Sequence, residues 1–305
     1  MNKNVDLSSM TLFSDKRSLF FIALLYFSDS LLICSMRDLT DSFGWVSIII
    51  SALFSAVLIL LFGKITRHIG VGLFFLILSK IAAVVFITVS LFLFADFIQA
   101  CINMSVVSWL IPAFILLTAA FAAFKDFSII KRSASVLSAI IIIFLVFSLI
   151  ILWNRIHISN IHHLFQSRSS FFEQIIFFTA IFTVKGILLT EILRVESRAD
   201  SADSHIIALG LLASAALIAV IQLLSLAVLG DRLYSLVDYP VYYTLGLTRY
   251  GDYFERAEVI SLSIFMITLT FKTSVLMRLI LPHSKKAKQK TQKIDEKEMP
   301  KNANA

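Results

Sequence analysis

Two polar interruptions in apolar stretches carry the residues of this chain that could do chemistry. The first is Ser28-Asp29-Ser30, which breaks an apolar run near the N-terminus. The second is Lys185-Gly186, with Thr183 just before it, near the middle of the apolar stretch 171–194. A lone lysine at the middle of a membrane helix is costly, so it must face a partner or water. An acid and a base that face a shared interior could hold the ammonium and the carboxylate of a zwitterion.

Asp29 and Lys185 are natural partners, because a pair would neutralise both charges in the lipid interior. We expect the two side chains to meet across the bundle, where a zwitterionic ligand could displace the pair. The alternative is a buried carboxylate that is paired with a neighbouring helix for structural reasons alone. Because serine hydroxyls can satisfy freed backbone groups and Gly186 weakens its helix, we expect both helices to be unwound at these points.

Other ionisable residues in apolar stretches have simpler interpretations. Lys80 and Arg278 lie close enough to a predicted span end for their side chains to snorkel to the headgroups. Glu191 and Arg194 are spaced for a local ion pair across one helical turn. Lys272 lies deeper in the last apolar stretch, among several threonines, and is a candidate functional residue.

Composition and hydropathy determine the class of protein that positions these residues. The 305 residues are 58% hydrophobic and 15% charged, whereas soluble domains contain about 25% charged residues. Apolar windows of about 20 residues predict an all-α integral membrane protein with eight transmembrane helices. The predicted spans are about 18–36, 44–63, 73–95, 103–124, 133–153, 171–193, 205–229 and 257–281. We divide the chain into an N-terminal segment 1–17, a transmembrane domain 18–282, and a basic tail 283–305 that we expect to be disordered.

The distribution of lysine and arginine predicts that both termini are cytoplasmic. With the N-terminus inside, 17 of these residues fall in predicted cytoplasmic segments and six in outer loops. All three tryptophans then lie near predicted outer span ends, where amphipathic rings prefer to sit. Much of the formal charge of +7 lies in the tail, which indicates a cytoplasmic retention signal or contact with anionic lipid rather than nucleic acid.

Signatures of metal sites and of soluble catalytic chemistry do not occur in the sequence. His157, His162 and His163 follow one another closely, but no carboxylate or cysteine joins them, so we predict no metal site. Cys34 and Cys101 fit packing positions better than a disulfide. Without a nucleophile motif or a glycine-rich phosphate loop, we predict neither an enzyme nor a cofactor.

The longest predicted outer connection, from Gly230 to Arg256, contains six of the seven tyrosines: Tyr234, Tyr239, Tyr242, Tyr243, Tyr250 and Tyr253. One interpretation is a hairpin that lies in the headgroup region, where tyrosine is favoured. The other is an extracellular lid over a substrate path.

The stretch from Ala227 to Met277 contains a Leu-Gly at the end of one span, the element Asp238-Tyr239-Pro240-Val241-Tyr242, and Tyr253-Phe254-Glu255-Arg256 at the start of the next span. In these features it resembles the spore germination permease family, the B subunits of nutrient germinant receptors in the amino acid–polyamine–organocation superfamily. The run Ala122-Ala123-Phe124-Lys125-Asp126 and the span entry Phe43-Gly44-Trp45-Val46 are weaker matches. Pro240, Glu255 and Arg256 are therefore the family-motif residues. The resemblance covers roughly residues 18–281.

The resemblance implies an amino-acid-permease fold of two inverted five-helix repeats, with spans one and six unwound around a substrate. It also implies recognition, or recognition and passage, of a small amino acid in the spore inner membrane, together with other germinant receptor subunits. Ser28, Asp29, Ser30, Thr183, Lys185 and Gly186 would line the binding site. Lys272 would be a candidate ion-site residue, because a lysine can stand in for a coupling cation in such folds.

The chain also departs from the family pattern. Ser28-Asp29-Ser30 replaces the glycine-rich break of span one, and Lys185-Gly186 stands where the family has small residues and an acid. The eighth predicted span ends near 281, so we expect the second repeat to lack its last two helices. The competing hypothesis is therefore a non-transporting structural or assembly subunit, derived from a degenerate permease.

Overall fold

A computed structural model describes residues 3–40, 43–69, 73–102, 109–156, 171–197, 202–246 and 258–281. The described residues form helices joined by short connections. We number the α-helices in chain order: α1 (Lys3–Ser28), α2 (Ser30–Cys34), α3 (Gly44–Ile69), α4 (Leu73–Ile102), α5 (Leu110–Ala123), α6 (Phe127–Leu152), α7 (Phe171–Ser197), α8 (Ala202–Tyr234), α9 (Pro240–Gly246) and α10 (Glu258–Ile280). A single 3-10 turn, Trp153–Arg155, follows α6.

Seven of the described helical segments are long and apolar enough to cross a membrane. Each of the eight predicted spans coincides with a helix, and the prediction of an integral membrane helical protein is confirmed. The fourth span is shorter than expected, because α5 contains only 14 residues. The short helix α9, in the connection after α8, was not predicted.

Large apolar side chains on the outside of the bundle provide the surface that faces lipid. Ile143 and Ile150 on α6 are 68% and 67% exposed, and Phe121 on α5 is 66% exposed. A soluble protein rarely leaves so many neighbouring apolar residues uncovered. In a bilayer, the same residues need no cover.

The first span occupies the middle of the bundle. In its apolar window, Lys16–Cys34, 78% of the residues are buried, against 28% in the window of α6, Phe127–Ile150. α1 packs mainly against α8 and α6, and α3 packs against α7 and α8. The polar residues of the first span are therefore surrounded by protein.

Gly63 of α3 lies against Ser204 of α8, and Gly44 lies against Gln222, so α3 and α8 run in opposite directions and the bundle has two distinct ends. We call the end that holds Arg17, Lys64, Lys125 and Arg132 the basic end. The opposite end holds the C-terminus of α2 and the start of α3. The positive-inside rule predicts that the basic end is cytoplasmic.

The connection after α8 packs against the opposite end of the bundle. Four residues before its end, α8 is kinked at Gly230, whose φ of 72° is a conformation that residues other than glycine rarely adopt. The backbone N–H of Arg37 donates to the carbonyl of Asp238 over 3.0 Å. Tyr239 is buried, with its ring centroid 4.9 Å from that of Phe97. The described half of the connection is therefore a cap packed on the bundle, and its position in the headgroup region stays a prediction. Tyr250 and Tyr253 lie outside the described residues.

The cap contains one polar link to α4. The Tyr239 hydroxyl donates to Asp96 Oδ2 over 3.1 Å. Burial, and then the nearby negative charge of Asp96, hold the pKa of the Tyr239 hydroxyl above its usual value. Tyr239 therefore remains a protonated donor across the physiological pH range.

Candidate functional site

Three ionisable side chains from three different spans meet at the centre of the bundle. Asp29 Oδ2 lies 3.1 Å from Lys185 Nζ and 2.6 Å from Lys272 Nζ. Both lysine side chains are 0% exposed and that of Asp29 is 4% exposed. We call Asp29, Lys185 and Lys272 the central charge cluster. The predicted Asp29–Lys185 contact is present, and Lys272 is a second partner that the sequence analysis did not assign.

Two serine hydroxyls complete the polar surroundings of the lysines. Lys185 Nζ donates to Ser30 Oγ over 2.7 Å, and Lys272 Nζ donates to Ser90 Oγ. Ser90 in turn donates to the carbonyl of Phe86 over 2.7 Å. Each ammonium group therefore has one carboxylate oxygen and one hydroxyl as acceptors.

The charges of the central cluster do not balance. Among the described residues, its ion pairs join two lysines to one aspartate, which is a formal charge of +1. Both lysines contact Oδ2, and no hydrogen bond from a described residue reaches Oδ1. An excess cation away from water is unfavourable unless an anion or water compensates it. The arrangement can therefore bind an anionic group.

Tyr26 adds a polar atom without a partner beside the cluster. Lys185 Nζ lies 5.7 Å from the centroid of its ring. The residue is 0% exposed, and its hydroxyl has no hydrogen-bond partner among the described residues. A buried hydroxyl without a partner is destabilising by about 1–3 kcal/mol. It is therefore a candidate for contact with a bound molecule.

Asp29 is placed at the cluster by a small irregularity in the first span. It separates α1 from α2, yet its backbone angles (φ −56°, ψ −25°) remain right-handed helical. Ser28 Oγ donates to the carbonyl of Leu24 over 2.7 Å, as expected for a serine beside a helix irregularity. The predicted interruption is present, but it is a one-residue break and not an extended unwound segment.

The expected break in span six is absent. α7 is continuous from Phe171 to Ser197 and passes through Lys185 and Gly186. A Cβ atom added at Gly186 would lie 2.1 Å from Cδ1 of Ile59 on α3. Gly186 therefore allows α3 and α7 to pack closely, and the prediction that it unwinds the helix was wrong.

The remaining predicted site residues do not contribute hydrogen bonds or ion pairs to the central charge cluster among the described residues. Thr183 is about 200° around α7 from Lys185, and its buried hydroxyl has no hydrogen-bond partner among the described residues. Pro240 is the first residue of α9 and lies in the cap. Glu255, Arg256 and the three histidines at 157, 162 and 163 lie outside the described residues.

Arg278 forms a second buried ion site, at the basic end. Its Nη2 lies 2.9 Å from Glu196 Oε1, and both side chains are 7% exposed. The Arg278 guanidinium also donates to the carbonyls of Ala123 and Lys125. The prediction that Arg278 snorkels to the headgroups was therefore wrong, since three helix ends surround it. The predicted pair of Glu191 with Arg194 is confirmed, at 3.3 Å.

Sequence reasoning missed Ser90 and the partnership of Lys272 with Asp29. Ser90 is one of several serines in the apolar spans, so nothing distinguished it in the sequence. Lys272 carried a usable signal, because a second mid-span lysine has the same need for a buried acid as Lys185. Tyr26 also had a signal, because it precedes Asp29 by three residues and shares its helix face.

Comparison of the chain with known proteins found no relatives. No protein-family model matches the chain, and neither a curated protein nor a solved structure matches it. The function of the chain is therefore inferred from the central charge cluster and from the residues around it.

Proposed function

We propose that this chain is an amino-acid-permease-like membrane protein whose central charge cluster binds a small amino acid. One observation carries the proposal: a buried aspartate is shared by two buried lysines, which leaves an excess positive charge in the protein interior. The carboxylate of an amino acid would give each lysine an acid of its own, while the ammonium of the same zwitterion keeps the net charge of the site at +1. The neighbouring polar atoms match the rest of a zwitterion.

The contacts indicate how such a ligand would bind. Its carboxylate would take the place of Asp29 at Lys185, with the buried Tyr26 hydroxyl as a second donor. Asp29 would keep Lys272, and its Oδ1, which accepts no hydrogen bond from a described residue, would accept one from the ligand ammonium. Each lysine then has a carboxylate of its own, and the ligand ammonium shares Asp29 with Lys272, so the net charge of +1 is the same before and after binding.

The biological setting of the proposal comes from the resemblance of residues 227–277 to germination permeases. In that setting the ligand is a germinant amino acid, and the chain is one subunit of a nutrient receptor in the spore inner membrane with both termini cytoplasmic. Passage of the amino acid through an inverted-repeat bundle is the further step of the same proposal.

Direct binding tests the proposal. Purified protein in lipid nanodiscs is mixed with a panel of radiolabelled amino acids, and saturable binding to at least one is expected. Lys185→Met and Lys272→Met should abolish that binding, because each removes the excess charge. Lys80→Met removes a lysine from α4, outside the described cluster, and should bind as the wild type does.

Two results would overturn it. The first is the absence of saturable binding by wild-type protein that is monodisperse and unfolds cooperatively. The second is equal binding by the wild type and by both cluster variants, which would place the ligand elsewhere.

A non-transporting assembly subunit is the second candidate function. The continuous helix α7 favours it, as do the contacts that each cluster lysine already makes with Asp29 and a serine. In this case the wild type binds no amino acid, yet migrates in native gels of its own membrane as part of a larger complex. A chain that migrates alone there and binds an amino acid excludes this candidate.

A further inference from the structure

A groove of about 490 Å³ lies between α1 and α6 at the basic end, separate from the central charge cluster. Arg17 and Ser18 line it from α1, and Lys131 and Arg132 line it from α6. Ser128 and Ser135 add hydroxyl groups to its wall. A cavity with three cations and several hydroxyls has the chemistry of a phosphate site.

The cationic side chains are held in place by aromatic rings. The Arg17 guanidinium carbon lies 5.8 Å from the ring centroid of Phe21, and Lys131 Nζ lies 5.5 Å from that of Phe127. Such cation–π contacts contribute about 0.5–1 kcal/mol each at exposed positions. These contacts restrain two of the three cationic side chains of the groove.

Depth distinguishes a lipid from a soluble ligand. Arg17 lies at the start of the apolar span Lys16–Cys34, and Lys131 lies in the first turns of the span Phe127–Ile150. The charges of the groove are thus at the level where the headgroups of a bilayer meet its hydrocarbon. Phe21 and Ala139 line the groove one to two turns deeper, so its wall changes from cationic to apolar along the membrane normal.

We propose that this groove binds the phosphate headgroup of an anionic phospholipid, with an acyl chain along Phe21 and Ala139. The α6 residues 128, 132 and 135 follow the spacing of one helix face, which α1 meets at Arg17 and Phe21. Ser138 Oγ donates to the carbonyl of Phe21 over 3.4 Å, so the two helices touch directly beyond the groove. The lipid would bridge α1 and α6 on the side where they separate.

The test measures lipid retention by native mass spectrometry of the purified chain. Phosphatidylglycerol and phosphatidylcholine compete for the detergent-solubilised protein, and the wild type should retain phosphatidylglycerol selectively. The double variant Arg17→Gln, Arg132→Gln should retain it at least about tenfold less, since each basic residue near an anionic surface contributes about 1 kcal/mol. The matched control, Lys64→Gln with Lys125→Gln, removes two exposed charges from the same end and should retain phosphatidylglycerol as the wild type does.

A second variant separates shape from charge. Ala139→Trp fills the apolar part of the groove and leaves all its cations in place, so it should also lose the bound lipid. Equal losses in the groove and control doubles would show that only surface charge matters and would overturn the proposal. Full retention of phosphatidylglycerol by Ala139→Trp and by the double variant Arg17→Gln, Arg132→Gln would also overturn the proposal. Displacement of the lipid by inorganic phosphate at comparable concentration would assign the groove to a soluble phosphate and would overturn the proposal of a lipid site.

Discussion

Two buried ion sites connect the same pair of helices, α7 and α10, but they differ in their ratio of bases to acids. At the basic end, Arg278 of α10 meets Glu196 of α7, so the ion pair among the described residues joins one base to one acid. At the centre, Lys272 of α10 and Lys185 of α7 meet only through Asp29, which belongs to neither helix. An ion pair that only holds two helices together needs no more than one base and one acid, as in the pair of Arg278 with Glu196. The arrangement at the centre places extra charge where a ligand could use it.

The two sites also differ in the type of base. Arginine has a planar fork of donors and remains charged, which suits a permanent link to a carboxylate and two carbonyls. Lysine is a point charge on a flexible stem, so its ammonium group can exchange one acceptor for another with little rearrangement. The comparison predicts that substitutions at the basic end change stability, whereas substitutions of the central lysines change binding.

Removing the shared acid should have the largest effect. Asp29→Asn leaves two lysines buried without a carboxylate, and loss of one partner from a buried ion pair is destabilising by about 3–5 kcal/mol. The free energy of unfolding, measured by denaturant titration in detergent micelles, should fall by that amount. Asp38→Asn is the matched control, because Asp38 is 81% exposed and its pair with Arg37 lies at the surface. A stability loss no larger than that of the control would contradict the geometry of the cluster.

Removing the acid at the basic end should have an intermediate effect. Glu196→Gln leaves Arg278 buried, but the carbonyls of Ala123 and Lys125 still accept its hydrogen bonds. We expect a loss of about 1.5–3 kcal/mol in the same titration, the range for a hydrogen bond to a charged group. Glu173→Gln, an exposed acid near the other end of α7, should change stability little. If amino-acid binding were lost in Glu196→Gln while folding persisted, the separation of the two sites would be wrong.

Removing the excess base should have the smallest effect on stability. Lys272→Met leaves Asp29 with Lys185, one acid with one base, and relieves the repulsion between the two lysines. Ser90 keeps its hydrogen bond to the carbonyl of Phe86. We expect the free energy of unfolding to change by about 1 kcal/mol or less in either direction. A loss as large as that of Asp29→Asn would show that all three charges are needed to hold the bundle together.

The sequence predicted how deep each charged residue lies in its span better than it predicted which side chains of other helices contact that residue. Hydropathy located every described long helix, because apolar length is a direct requirement of the bilayer. The high cost of an unpaired charge in lipid predicted the contact between Asp29 and Lys185. Neither argument gives the rotation of one helix relative to another, and that rotation brings Lys272 and Ser90 to Asp29.

The two wrong predictions concern residues whose significance depends on a neighbouring helix. Gly186 is compatible with a broken helix or with close packing, and only the position of Ile59 decides between them. Arg278 is near enough to a span end to reach water, but Glu196 and the end of α5 enclose it. At both positions the local sequence is compatible with the predicted structure and with the observed one, so it cannot distinguish them.

The order of the charged residues along the chain has a consequence for synthesis. Asp29 precedes its first lysine partner, Lys185, by 156 residues and Lys272 by 243 residues. At a translation rate of about 5–20 residues per second, the ribosome takes about 8–31 s to reach Lys185. The first helix must therefore be delivered to the bilayer with an unanswered carboxylate, which opposes its insertion by about 2.5–3.5 kcal/mol. Retention of the nascent first helix beside the insertion machinery until the later helices emerge would remove that penalty.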